Sequence, residues 1–203
     1  MLNRLLALFQ DKVENRYYGK YRAIVADNAD PENRGRLKVK VPALAGELEM
    51  GWAMPCFPYG GGSETGIYMI PEVDDGVWVE FEAGQLSYPI WTGTWWAQDE
   101  APKGIEDEDP VADIKVIKTK SGNIIELNDK SGSESITIQD MNGNKVIMDS
   151  SSIEVNADSR DVKINGTNIT IEALTQLNLK GASINVEASG AVSIKGATVD
   201  LNP

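Results

Sequence analysis

The chain contains no histidine and a single cysteine in 203 residues. Without histidine, Ser-His-Asp and Cys-His nucleophiles, His-containing zinc sites and a side chain titrating near neutral pH are all excluded. A lone Cys56 rules out an intrachain disulfide and a thiolate metal cluster, and it reads as a small hydrophobe. Long apolar runs are also missing. The longest, around residues 5–9, falls far short of the ~20 residues that a bilayer-spanning helix needs. It lacks the apolar centre and small-residue cleavage site of a secretory signal as well, so the expectation is folding in the cytoplasm with no stable membrane anchor. Positive charge is scarce. Nineteen Lys and Arg against thirty-one Asp and Glu give a net charge of -12, which repels phosphate backbones and argues against a nucleic-acid partner. A carboxylate-only glycosidase survives these exclusions, and so does a protein without catalysis.

What is present is an ordinary soluble composition, 41% hydrophobic and 25% charged, enough to bury a core. Residues 1–16 place Leu2, Leu5, Leu6, Phe9 and Val13 at spacings of three and four, the stripe of a short amphipathic helix that must dock on its own domain or on a partner subunit. Over 17–98 the pattern changes to six short β-type runs, at 20–26, 35–41, 51–55, 66–70, 76–81 and 90–94, separated by Asp-Pro, Asn and Gly punctuation. That size and strand count match an OB-type barrel. The glycines of 60–66 lack the Gly-Lys-Ser/Thr ending of a phosphate loop and read as a hairpin or interface loop. Residues 99–110 hold six acids and read as a solvated linker.

Beyond the linker the chain is repetitive. The stretches 162–173 (VKINGTNITIEA), 177–188 (LNLKGASINVEA) and 192–201 (VSIKGATVDL) superpose at a spacing of fifteen, with Gly166, Gly181 and Gly196 in register. Each unit carries two aliphatic pairs: Val162/Ile164 and Ile169/Ile171, Leu177/Leu179 and Ile184/Val186, Val192/Ile194 and Val199/Leu201. Alternation puts these side chains on one face and Lys, Asn, Thr or Ser on the other. A two-residue apolar patch cannot bury itself, so stacking or oligomerisation is required. A single-chain β-helix of broad coils would have only two or three coils and no cap. Three chains wound into a triangular prism pair every strand with a neighbour and leave no long edges. The expected trimer core therefore runs from Ile153 and Val155 through the pairs just named.

Four runs in order, GRLKVKVP at 35–42, GWAMP at 51–55, IPEVDDGVWVEF at 70–81 and YPIWTG at 88–93, resemble the OB-fold domain of the phage baseplate central spike, the baseplate assembly protein V family. That family has relatives in phage-tail-like injection particles and in the valine-glycine repeat spikes of type VI secretion. IKTKSGNIIEL at 117–127, ITI at 136–138 and GNKVIMD at 143–149 look like the start of its triple-stranded β-helix. The resemblance implies an all-β homotrimer with an N-terminal short helix, an OB barrel held by a baseplate hub protein, and an intertwined β-helix needle over 111–203. The needle would pierce a target envelope from a virion tail baseplate or phage-like particle assembled in the bacterial cytoplasm. Some relatives insert a lysozyme domain where this chain has only the short linker, and others end in a His-x-His iron site that a chain without histidine cannot build. The expected apex, Val199, Asp200, Leu201, Asn202 and Pro203, is then a platform for a separate PAAR-type tip protein.

No residue is assigned a catalytic, cofactor-binding or metal-binding role. Asp140-x-Asn142-x-Asn144 resembles the start of a calcium loop, but Ser151 stands where the last ligand would be and Asn142-Gly143 reads better as a tight turn. Trp91, Trp95 and Trp96 could line a sugar or single-strand site on an OB barrel. With so much acid nearby they are taken instead as packing or hub-contact residues. A β-helical carbohydrate-active enzyme would need a cleft of clustered acids, whereas the acids of the repeat are single and interleaved with Lys163, Lys180 and Lys195. A trimeric tail fibre or adhesin would need a receptor-binding terminal domain.

Overall fold

A computed structural model of the chain describes residues 16–200; the expected leading helix, and Leu201, Asn202 and Pro203, lie outside the described residues. The chain divides into two units, Met1–Asp158 and Ser159–Pro203. Among the described residues no helix is long and apolar enough to cross a membrane.

The first unit begins with five strands, β1 (Tyr21–Asp27), β2 (Lys38–Lys40), β3 (Met54–Pro55), β4 (Gly76–Phe81) and β5 (Pro89–Thr94), in the order β2-β1-β4-β5-β3. Reciprocal backbone bonds between Leu37 and Ala53, 3.1 and 2.7 Å, join the two outer strands, so the sheet closes on itself as an OB barrel does. Period-two alternation builds the core. Val39 points in between Lys38 and Lys40, and Val77, Val79 and Phe81 point in while Trp78 and Glu80 point out. Ala23, Val25, Leu37, Val41, Ala53 and Trp91 complete that core. Register shifts at Val25/Asp27 and Trp78/Val79 supply the local bends a small barrel requires. A one-turn helix, α1 (Pro42–Ala45), starts at a proline pre-set for a first helical position.

Five of the six expected strands are present. The run at 66–70 is not a strand. Closure of β2 against β3 leaves no barrel edge for it, and it folds instead as a loop pinned by the Ile67 amide donating to the Tyr59 carbonyl at 3.1 Å. Gly60, Gly61 and Gly66 there take φ of +148°, +91° and +152°, values that a β-branched residue in a strand would not adopt.

The remaining strands of this unit, β6 (Ile114–Lys118), β7 (Ile124–Asn128), β8 (Ser135–Gln139), β9 (Lys145–Asp149) and β10 (Ile153–Asn156), form a five-stranded antiparallel meander. An interchain β-helix is expected from residue 111, and over 114–156 the strands of one chain pair with one another. Tight turns let each strand pair with the next one in the same chain, so these ladders need no neighbour. In the linker Asp99, Glu100, Glu106, Asp107 and Asp109 are exposed, while Gly104 is buried, the Ile105 amide donates to Glu126 Oε2 at 2.7 Å, and Lys118 Nζ donates to the Lys103 carbonyl at 3.1 Å. Segment 103–105 is thereby pinned to the sheet.

The second unit has no strand assignment among its described residues, and its aliphatic pairs are exposed.

Two carboxylates organise loops. Asp30, 8% exposed, accepts the amides of Glu32, Arg34 and Arg36 and the Arg36 guanidinium, with Nη2 at 2.6 Å, which folds the β1–β2 loop. Asp140 accepts the amides of Asn142 and Asn144 at 2.8 and 3.0 Å and the Asn144 side-chain amide at 2.8 Å, which makes 140–144 a tight β8–β9 turn. Hydrogen bonding, from the Arg36 guanidinium at Asp30 and chiefly from the Asn144 amide at Asp140, holds both groups below the ordinary value of 3.8, Asp140 at about 2. A depressed folded pKa stabilises the fold above the unfolded value and is lost as pH falls toward the folded one. Thermal unfolding followed by circular dichroism should show the melting temperature dropping from about pH 4 toward pH 2, and Asp140→Asn should flatten part of that drop. An unchanged acid slope in Asp140→Asn would contradict the role given to this turn.

Candidate functional site

Among the described residues the most extended candidate feature is an apolar sheet surface. Among the described residues no three acidic or thiol side chains converge on a metal-sized site. The register of β6–β10 sorts every side chain to one of two faces. One carries two cross-strand rows, Ile117–Ile125–Ile138–Val146–Val155 and Lys115–Leu127–Ile136–Met148–Ile153. Seven of these apolar side chains are between 41 and 76% exposed, with Ile153 and Val155 on the edge strand β10 the most open. Lys115 is the row's one charge, and Asp129 pairs with it. The other face holds Ile114, Ile124, Glu126 and Thr137, all buried, and the linker is bonded to it. The sheet thus departs from an ordinary soluble sheet: its mixed polar face is covered at β6, β7 and β8 around Glu126, while Lys118, Asp149, Glu154 and Asn156 stay exposed, and its aliphatic face meets water.

The second unit continues that chemistry. Val162, Ile164, Ile169, Ile171, Leu177, Leu179, Ile184, Val186, Val192, Ile194 and Val199 are each more than half exposed, and Asp200 is exposed as well. Leu201, Asn202 and Pro203 fall outside the described residues. The seven sheet residues from Ile117 to Met148 were not among the expected core positions, although the i, i+2 spacing of Ile125/Leu127, Ile136/Ile138 and Val146/Met148 carries the signal.

On the barrel the three candidate tryptophans have three different environments. Trp91 is 4% exposed, donates its indole N–H to the Gly35 carbonyl at 3.0 Å and packs edge-on against Phe57 at 5.2 Å. Its assignment as a hub contact is corrected: the ring is core and has no surface to offer a partner. Trp95 lies flat on Gly76, where an added Cβ would come within 2.6 Å of the ring, and donates to the Val77 carbonyl at 3.1 Å. Its outer side meets the Arg22 guanidinium at 5.5 Å, which also lies over Trp78 at 5.8 Å. Arg22, Ala23, Ile24, Pro42, Ala43 and Trp95 line a shallow apolar cavity of about 320 Å³. Trp96 is 62% exposed. A second, open cavity of about 990 Å³ lies under the 57–68 loop, which displays Tyr59, Ile67 and Tyr68.

A closed five-stranded barrel is followed by a sheet with an open aliphatic face. Residues 21–96 match the type VI secretion system/phage-baseplate injector OB domain family. The barrel is therefore an injector OB domain, and through it the resemblance to the baseplate spike family is shown. Among curated proteins none matches the chain.

The tryptophan environments can be separated by stability. Trp91→Ala should cost about 3–5 kcal/mol, as large-to-small changes in a packed core do, whereas Trp96→Ala should stay within about 0.5 kcal/mol. Denaturant unfolding of the two variants reads the difference, and equal losses would contradict the placement of Trp91 in the core.

Proposed function

We propose that the chain is the structural, non-catalytic central spike of a contractile tail or phage-like injection system. Three copies seat their OB barrels in a baseplate hub, wind their repeats into a triple-stranded β-helix needle, pierce the target envelope and carry a separate PAAR-type tip protein on Val199 to Pro203. The injector OB domain supports the baseplate setting. The observation that carries the needle is the state of 162–199 in a single chain: every aliphatic side chain named there is exposed and no strand ladder is satisfied. Three copies solve both problems at once. Side chains turned to a common axis bury one another, each contributing about 1.5–3 kcal/mol, and the free backbone groups pair between chains. A rod with a continuous aliphatic core and short corners at Gly166, Gly181 and Gly196 resists bending, which a driven needle needs. Trp95 and Trp96 remain the barrel's hub-contact candidates.

Native mass spectrometry of the purified chain should give three times 22.1 kDa. In the same preparation the trimer should resist heating in detergent, and Ile184→Asp should abolish that resistance, because it would place three carboxylates around one axis at a cost of several kcal/mol each. A heat-resistant Ile184→Asp trimer would show that Ile184 does not face inward.

A further inference from the structure

The polar face of the repeat carries a pattern that burial alone does not require. Seven aliphatic pairs run from Ile153/Val155 to Val199/Leu201, and each has a single charged residue between its members or directly after them. In chain order these are Glu154, Lys163, Glu172, Lys180, Glu187, Lys195 and Asp200, so the sign reverses at every step. Glu172, Lys180, Glu187 and Lys195 also share one position, the residue after the second aliphatic of the pair. Alternation puts all seven on the face opposite the aliphatic side chains. Each is exposed, and among the described residues none forms an ion pair within one chain. Solubility asks for charge, but not for one charge per half-repeat with reversing sign.

The aliphatic pairs leave open a question that these charges answer. Every half-repeat offers the same two-residue apolar patch, so three chains slipped by one half-repeat bury nearly as much surface as three chains in step, and such a core specifies register weakly. We propose that the alternating charges set that register, so that the repeat accepts copies of this chain in one alignment. This rests on the three-chain needle proposed above and adds what aligns it. Each chain wound about the common axis moves to the next face of the prism at every corner. Three-fold symmetry then stacks each strand on the preceding half-repeat of a neighbouring chain, about 4.8 Å away. In step, Glu172 of one chain lies beside Lys180 of the next, Lys180 beside Glu187, and Glu187 beside Lys195. Opposite charges directly across a strand boundary stabilise, and like charges destabilise. A chain slipped by one half-repeat sets Glu172 beside Glu172 or Glu187, and Lys180 beside Lys180 or Lys195. Every attraction it made becomes a repulsion. A slip by two half-repeats restores the signs but leaves two aliphatic pairs uncovered at the end. The series starts at the structured part of the chain: Glu154 is on β10, the edge strand of the sheet, and Lys163 belongs to the next aliphatic pair after it. The complement of this surface is the same series displaced by one step, which is why a copy of the chain fits it.

The test uses full-length chains. An inverted chain, with Glu172→Lys, Lys180→Glu, Glu187→Lys and Lys195→Glu together, keeps the alternation within itself and should form heat-resistant trimers when expressed alone. Co-expressed with wild-type chain that carries an N-terminal tag, it should sort into two homotrimers by native mass spectrometry, with mixed trimers several-fold below their statistical share. Lys180→Glu, which puts three acids in succession, should lower the heat resistance of the trimer, and about 1 M salt, where the screening length falls to roughly 3 Å, should return part of it. Lys180→Gln should lie between. In a Cys56→Ser background at high dilution, Asn178→Cys with Asn185→Cys should give covalent trimers under mild oxidant, because these two polar-face positions of successive half-repeats meet between chains. Asn178→Cys alone should stay unlinked, and adding Lys180→Glu should let it link to itself through slipped chains. The cysteine variants read the register even if the inverted chain fails to assemble. Mixed trimers at their statistical share, or linkage of Asn178→Cys in an otherwise unchanged repeat, would overturn the inference and leave the spike reading standing. A monomeric wild-type chain would remove the spike reading itself, and this inference with it.

Discussion

Seven aliphatic side chains of β6–β10 and both members of nearly every aliphatic pair from 162 to 199 stand in water when the chain is alone. Water disfavours such surface by about 25 cal/mol for each Å², and contiguous apolar patches of this kind on soluble proteins mark places where something else binds. Everything distinctive about the lower part of the chain follows from that imbalance. The meander is satisfied in its hydrogen bonds but not in its burial. The repeat is satisfied in neither. Covering the first surface and pairing the second are two separate tasks, and the proposed three-fold arrangement would accomplish both with one kind of subunit.

The barrel has the opposite character, because it finishes itself. The Leu37–Ala53 bonds remove its open edges. Asp30 satisfies three loop amides and the Arg36 fork at once, and Arg36 and Lys38 in turn lie over the Trp52 ring at 5.6 and 5.1 Å. Trp91 plugs the core while using its one polar atom on Gly35, whose φ of +73° and close neighbours Ile70, Tyr68 and Phe57 leave no room for a side chain. Such a domain can be gripped by a hub without depending on it for folding.

Much of this was legible from residue order. Alternation and turn residues located β1, β2, β3, β4 and β5, and the fifteen-residue period exposed the aliphatic pairs. The failures have physical causes. GIYMI at 66–70 has strand composition, but composition does not say whether an edge is free, and barrel closure had already used both edges. Most acids of 99–110 are exposed, as charge usually is, yet one amide, Ile105 N–H, meeting one carboxylate, Glu126, ties the segment to a sheet, a contact that composition does not reveal. Trp91, Trp95 and Trp96 are identical letters with different fates, decided by strand direction and by Gly76, which alone leaves room for a ring to lie flat. The open face of β6–β10 is spelled out by i, i+2 spacing, but periodicity shows which side chains share a face and not which chain supplies the neighbouring strand.

Hydrogen exchange across residues 162–199 of the purified full-length protein tests the central claim most directly, because backbone amides there have no partner in one chain. If three chains close around a common axis, these amides should exchange orders of magnitude more slowly than an unstructured peptide of the same sequence, as buried ladders do. Exchange at the unstructured rate throughout 162–199, in a protein whose barrel amides are protected, would contradict the account.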